Sequence, residues 1–297
     1  MIYETIVPVA NIWTLETSPR KLDHNILGKD FDLQKWIDLQ TYEQKLALCE
    51  QNLVQTQVLL GERVIVLEEK NDWMKVVLPE QPSRKNDRGY PGYIPSSQLK
   101  RYQATGRKKR VIVSKRTTTL FKNGVADVEI SFLTKLALIK EETDLLIVDT
   151  PIGQREIKKE GVIYESTLSA SACGMKVVNT GMQFLGLAYL WGGMSGFGYD
   201  CSGFAYNMYK ACGHLLPRDA SDQAQVGKNI LFQEMEPGDL MFFADQKGQG
   251  AVRHVGIYAG EGMMLHSPKT GKEIELISFA GTSYEEEFTG ARRYLHA

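Results

Sequence analysis

Cysteine is scarce in this chain: four among 297 residues, at positions 49, 173, 201 and 212. Their irregular spacing matches neither a disulfide framework nor the short paired spacing of a zinc site. A reducing, cytoplasmic setting is therefore expected, with no metal or other cofactor. Long hydrophobic runs are missing as well. None approaches the ~18 residues that a membrane-spanning helix needs, so no membrane association is expected. The opening MIYETIVPVANIWT lacks the basic flank, apolar segment and small-residue cleavage site of an export signal. A leader removed beforehand would make the protein secreted instead. Charge of one sign is absent too: 35 basic against 36 acidic side chains leave a net charge of -1, which offers no case for nucleic acid or an anionic surface.

What is present reads as three blocks. Residues 1–103 are rich in short β-runs (IVPVANIWT, QVLLGERVIVLEEK, DWMKVVLP, GYIPSSQL), bounded by Gly, Pro, Asn and Asp. A helical insertion interrupts them, with Leu33, Trp36 and Ile37, then Leu46, Cys49 and Leu53, at helical spacing. Thr41 and Gln44 fit a capping box for its second piece. The polar RYQATGRKKR reads as a solvated linker. It leads into a second β-rich block, 104–165, which reads as a distant copy of the first. Residues 166–297 differ, with helices expected near 174–187 and 202–212 and strands after them.

The stretch YLWGGMSGFGYDCSGF, residues 189–204, concentrates the chemistry. Phe204, Met208 and Ala211 or Cys212 recur at helical steps, and Gly213 then Pro217 end the helix. Cys201 thus stands at a helix N-terminus, where unpaired N–H groups and the macrodipole favour a thiolate. Cys49, Cys173 and Cys212 read as small buried hydrophobes.

A thiolate needs a base. His24, His214 and His296 lie in polar or terminal contexts and read as surface residues. His254 and His266 flank a hairpin, RHVGIYAGEGMMLHSP. A three-residue loop, Gly260–Gly262, would set His266 opposite Gly256 and diagonal to His254 on one face. A two-residue loop would send one of them to the other face. Thiolate, imidazole and a second ring orienting the first make a cysteine form of the catalytic triad. A zinc site from Cys201, Cys212, His214 and His254 is the rival reading, and lacks the usual spacing.

YLWGGMSGFGYDCSGF, LPRDASDQA, EPGDLMFF and RHVGIYAGEGMMLHSP, in this order, resemble the NlpC family of bacterial cell-wall cysteine peptidases over roughly residues 168–297. The resemblance implies a papain-like α+β domain with Cys201 as nucleophile, His254 as base and His266 as orienting residue. It places Tyr189, Asp200 and Ser202 along the substrate cleft, with Arg218, Ser221 and Gln223 beside it. The first block resembles a bacterial SH3-like barrel, with Trp73 and Tyr93 in its core or groove.

The expected fold is therefore α+β, a papain-like domain preceded by two small closed barrels, the first with a helical insertion. The whole arrangement is similar to the Bacillus-type γ-D-glutamyl-L-diamino-acid endopeptidases. That similarity implies action on peptidoglycan-derived peptides at the γ-D-Glu–diaminopimelate (or Lys) bond; a monomer is expected. The similarity also implies recognition of a free N-terminal L-Ala, for which Asp200, Glu62 and Tyr90 are the expected ammonium partners. An amidase or acyltransferase on the same Cys–His site, or a non-catalytic wall-peptide binder, are the alternatives.

Overall fold

The computed structural model describes residues 1–29, 31–104, 106–168 and 173–295. By compactness the chain divides into two units. The first comprises Met1–Glu80, Arg88–Thr167 and Ser195–Phe197; the second comprises Gln81–Asp87, Leu168–Met194 and the chain from Gly198 onward.

The first unit holds two seven-stranded antiparallel sheets. One is built from β1 (Ile2–Thr5), β2 (Val9–Trp13), β3 (Val54–Leu59), β4 (Arg63–Lys70), β5 (Trp73–Leu78), β6 (Tyr90–Pro95) and β7 (Leu99–Arg101), in the order β3-β2-β6-β5-β4-β1-β7. The other uses β8 (Arg110–Val113), β9 (Thr117–Lys122), β10 (Val125–Ser131), β11 (Lys135–Glu141), β12 (Leu145–Thr150), β13 (Gly153–Lys158) and β14 (Val162–Tyr164). Its order is β10-β9-β13-β12-β11-β8-β14, the first order with every label raised by seven. The second β-rich block therefore repeats the topology of the first, down to the 3-10 turn before the last strand.

Neither sheet closes into a barrel, which corrects the expected SH3-like barrels. Closure requires the edge strands to pair, and β3 and β7, like β10 and β14, stand at opposite edges. The β2–β6 contact is itself reduced to one pair, Trp13 with Tyr93. Short strands at regular turn spacing carry the same local pattern whether a sheet is open or closed.

Between β2 and β3 lie α1 (Leu33–Leu39) and α2 (Tyr42–Glu50). The Thr41–Gln44 capping box is present, with Gln44 N donating to Thr41 Oγ1 at 3.3 Å and Thr41 N to Gln44 Oε1 at 3.0 Å. Leu33, Trp36 and Ile37 are buried as their spacing predicts; in α2 the fully buried residue is Leu48, with Leu46 and Cys49 only partly covered.

The second unit is α+β. Helix α3 (Gly174–Met182) comes first, followed by the two-residue strands β15 (Met194–Ser195), whose second residue counts with the first unit, and β16 (Gly198–Tyr199), then helix α4 (Cys201–Lys210) and the short α5 (Ala220–Gln223). A six-stranded antiparallel sheet follows from β17 (Lys228–Ile230), β18 (Leu240–Ala244), β19 (Val252–Gly260), β20 (Met263–His266), β21 (Glu275–Ser278) and β22 (Phe288–Arg293), ordered β17-β22-β18-β19-β20-β21. Helices α3 and α4 pack against β19 and β20. Helix α4 is not half-solvated as an amphipathic reading implies: every residue from Ser202 to Tyr209 is buried. It is the central helix of the unit.

Candidate active site

The glycines before Cys201 serve close backbone packing. A Cβ on Gly203 would lie 2.2 Å from the Gly193 carbonyl oxygen, and one on Gly193 2.3 Å from that of Gly198. Only hydrogen side chains let the loop fold against the first turn of α4.

Asp200 is the N-cap of that helix and accepts the Gly203 N–H at 2.7 Å. Cys201 is its first residue and is partly exposed. Backbone N–H groups of Ser202 and of Val255 on β19 reach the sulfur, so the thiol lies against the strand that carries His254.

His254 and His266 come together. His254 Nε2 and His266 Nδ1 share a 2.8 Å hydrogen bond, and both rings are buried. The hairpin reaches this register by an unexpected route. Its turn has two residues, Glu261 and Gly262, both with positive φ, the geometry of a tight hairpin turn. An extra residue at Ala259 bulges out of β19, because Tyr258 pairs with Met264 while Gly260 pairs with Met263. The bulge compensates for the shorter turn, and Ile257 opposite Leu265 leaves His266 facing Gly256.

Burial sets the protonation states. Desolvation, and behind it the Asp200 carboxylate, push the Cys201 thiol up to about 12; the two N–H groups and Arg218 oppose this only in part. Desolvation, then His266 and Arg253, hold His254 well below the usual imidazole range, and desolvation brings His266 down to about 4. Desolvation thus works against both ionisation of the thiol and protonation of the imidazole, opposing the thiolate that the helix N-terminus favours.

Around this core lie residues of two kinds. Arg218 is buried and spans the neighbours of the thiol: its guanidinium reaches Asp200 Oδ1 at 3.1 Å, Asp200 Oδ2 at 2.5 Å and Ser202 Oγ at 2.9 Å. Gln223 Nε2 donates to Ser202 O at 3.1 Å. Tyr284, from the helix Ser283–Glu287, was not legible as a site residue. Its ring stacks on His254 (centroids 5.2 Å apart, 28° between planes) and meets His266 edge-on at 5.0 Å. Nothing in GTSYEEEF signals this, since the contact depends on how the chain returns before β22.

Tyr189 is buried and donates its N–H to Lys272 O at 2.9 Å, whereas Ser221 in α5 is exposed. In the first unit, Glu62 follows β3 and its carboxylate accepts the Leu59 N–H at 2.9 Å. Tyr90 opens β6 with its ring in the sheet core and its hydroxyl 3.3 Å from Gln55 Oε1. Trp73 and Tyr93 are partly exposed. Of the other cysteines, Cys212 is buried as expected, but Cys49 is only partly covered and Cys173 is exposed. His24 is exposed and His214 partly covered; His296 lies outside the described residues.

The family model for the NlpC/P60 family matches residues 186–293, the segment that supplies Cys201, His254 and His266. A γ-D-glutamyl-L-lysine dipeptidyl-peptidase of Bacillus subtilis is 45% identical over 294 residues, covering 99% of both chains. The chain belongs to the NlpC/P60 family. A second relative with the same description, from Bacillus cereus, is 39% identical over 97% of this chain and 90% of its own. The crystal structure of an NlpC/P60 family protein from Bacillus cereus superposes with a TM-score of 0.95 at 37% identity, each chain fully covered. This member of the family is a cysteine peptidase.

Proposed function

We propose that the protein is a cysteine endopeptidase that cuts the bond between γ-D-glutamate and an L-diamino acid in peptidoglycan-derived peptides with a free N-terminal L-Ala. The observation that carries this reading is the full-length likeness to γ-D-glutamyl-L-lysine dipeptidyl-peptidases, which extends through both units.

In this reading Cys201 is the nucleophile, His254 the base and His266 the residue that orients it. Because His254 Nε2 is engaged by His266, its free ring nitrogen is Nδ1. As Sγ attacks the γ-carbonyl carbon, the thiol proton passes to Nδ1. The developing oxyanion is met by backbone N–H at the N-terminus of α4. Collapse of the adduct breaks the C–N bond, and His254 returns its proton to the departing diamino acid amine. A water molecule, deprotonated by His254, then opens the thioester and releases the L-Ala-γ-D-Glu dipeptide. Tyr189, Asp200, Ser202 and Ser221 stand on the substrate side. Four free cysteines suit a reducing compartment, which favours work on free peptides in the cytoplasm.

The test uses L-Ala-γ-D-Glu-L-Lys, its meso-diaminopimelate counterpart and the N-acetylated form of each, with products identified by mass spectrometry. Release of the diamino acid from the free-amine peptides, far faster than from the acetylated ones, is expected. Equal rates on both forms, or cleavage at another bond, would overturn the assignment.

A further inference from the structure

Behind His266 stands a further carboxylate, that of Glu275. Glu275 opens β21 and pairs in register with His266 across the β20–β21 ladder. Its Oε1 lies 3.4 Å from His266 Nε2, with the imidazole fully buried and the glutamate side chain 46% exposed. That Nε2 is buried and makes no hydrogen bond among the described residues, so the Glu275 carboxylate faces it across a charge contact and not a hydrogen bond. We propose that Glu275 is a positioning residue that selects the base-competent tautomer of His254. The inference rests on the catalytic reading of Cys201, His254 and His266.

Two neutral imidazoles joined Nε2 to Nδ1 can be protonated in two ways. In one, His254 Nε2–H donates to His266 Nδ1. His254 Nδ1 is then a lone pair available to the thiol, and His266 carries its proton on Nε2, toward Glu275. In the other, His266 Nδ1–H donates to His254 Nε2. His254 then carries its proton on Nδ1 and has no base for the thiol, while His266 Nε2 turns a lone pair toward the carboxylate. An acceptor facing an acceptor is repulsive, so Glu275 favours the first arrangement. The same negative charge stabilises the imidazolium formed when His254 takes the proton.

Other charged or titratable groups face the pair. Arg253 on β19 is held by Glu287 and Asp245, Tyr284 covers both rings, and Cys201 with Asp200 and Arg218 lies on the α4 side. Arg253 disfavours protonation of His254. Glu275 is the group in register with His266 Nε2.

Glu275→Ala and Glu275→Gln should lower kcat roughly tenfold with KM little changed, well short of the ~10²–10⁴-fold loss expected for removing the base. Loss of the carboxylate also makes both imidazoles harder to protonate, so the acid limb of kcat/KM should move to lower pH. Nitrogen-15 ring spectra should show Nε2–H on both rings in the wild type and an admixture of Nδ1–H on His254 in Glu275→Ala. Glu275→Asp should restore part of the rate. A variant that loses rate with the acid limb and tautomer unchanged would overturn the inference, as would no change in any readout. His254→Ala separates the two levels. If it abolishes turnover while the Glu275 variants do nothing, only this inference fails; if it keeps turnover, the triad reading fails with it.

Discussion

One guanidinium holds both carboxylate oxygens of Asp200: Arg218 Nη1 is 3.1 Å from Oδ1 and Nη2 is 2.5 Å from Oδ2, with both side chains buried. Because Asp200 also caps α4, this ion pair fixes the first turn on which Cys201 sits. Arg218→Ala would leave a buried carboxylate without its counter-ion, a change that typically costs about 3–5 kcal/mol. A fall of that size in the unfolding free energy from urea titration is expected, together with lost activity. Arg218→Lys should restore only part, because an ammonium cannot bind both oxygens at once. A shift under ~1 kcal/mol for Arg218→Ala, within the range of exposed pairs, would show that the pair does not brace the helix.

The lowered imidazoles tie stability to pH. His266 titrates near 4 in the folded chain against an ordinary value of 6.5, so the unfolded chain binds the extra proton between those values. Stability is therefore full above pH 6.5 and falls as pH drops toward 4, by about 3 kcal/mol for this group alone. His254 shifts in the same direction and steepens the loss. Denaturation midpoints at pH 7.5, 6 and 5 should decline in that order, and the His266→Asn variant should decline less. A flat profile would contradict the assignment.

Turnover and alkylation should respond differently to pH. A neutral His254 accepts the thiol proton only as the sulfur attacks, so kcat/KM should stay level well below pH 6.5. Iodoacetamide needs a thiolate, and Cys201 is held up to about 12. Its labelling, followed by peptide mapping, should keep rising through pH 9. A labelling plateau at neutral pH would instead reveal a standing thiolate–imidazolium pair.

Tyr284 gives a prediction that composition could not suggest. Its ring stacks on His254, and such contacts are worth about 0.5–1.5 kcal/mol. Tyr284→Phe keeps the stack and should retain most of kcat, whereas Tyr284→Ala should lose about two- to tenfold. Equal losses in the two variants would point to the hydroxyl instead.

Local signals were read well from the sequence and distant pairings were not. Thr41 and Gln44 lie three residues apart, and their capping box follows from neighbours alone. The Cys201 helix start followed equally from Asp200, the glycines and the apolar steps after Ser202. The histidine register came from matching two strands across one turn. It held because the bulge at Ala259 offset a turn one residue shorter than supposed. Closure of the β-rich blocks depends on whether the first and last edges meet, and no residue within a strand encodes that. Glu275 and Tyr284 are not legible in the sequence for the same reason: each reaches the histidines only through a return of the chain after His266. The raised thiol is a further case, since helix position favours ionisation while burial, which sequence does not display, opposes it more strongly.

The heptapeptide Gln81–Asp87, which leaves β5 and returns at β6, belongs to the second unit. There the Pro82 carbonyl accepts the Arg218 N–H at 2.9 Å, Arg84 N donates to Asp222 Oδ2 at 2.9 Å, and Lys85 Nζ lies 3.0 Å from Asp219. The peptidase unit thus draws on residues well upstream of its family model, which begins only at residue 186. A fragment cut at Leu168 would carry Cys201, His254 and His266 yet lose the backbone partner of Arg218, and with it part of the scaffolding beneath the nucleophile. Attempts to express the catalytic half by itself would need those seven residues supplied in trans, as a peptide that completes the fold.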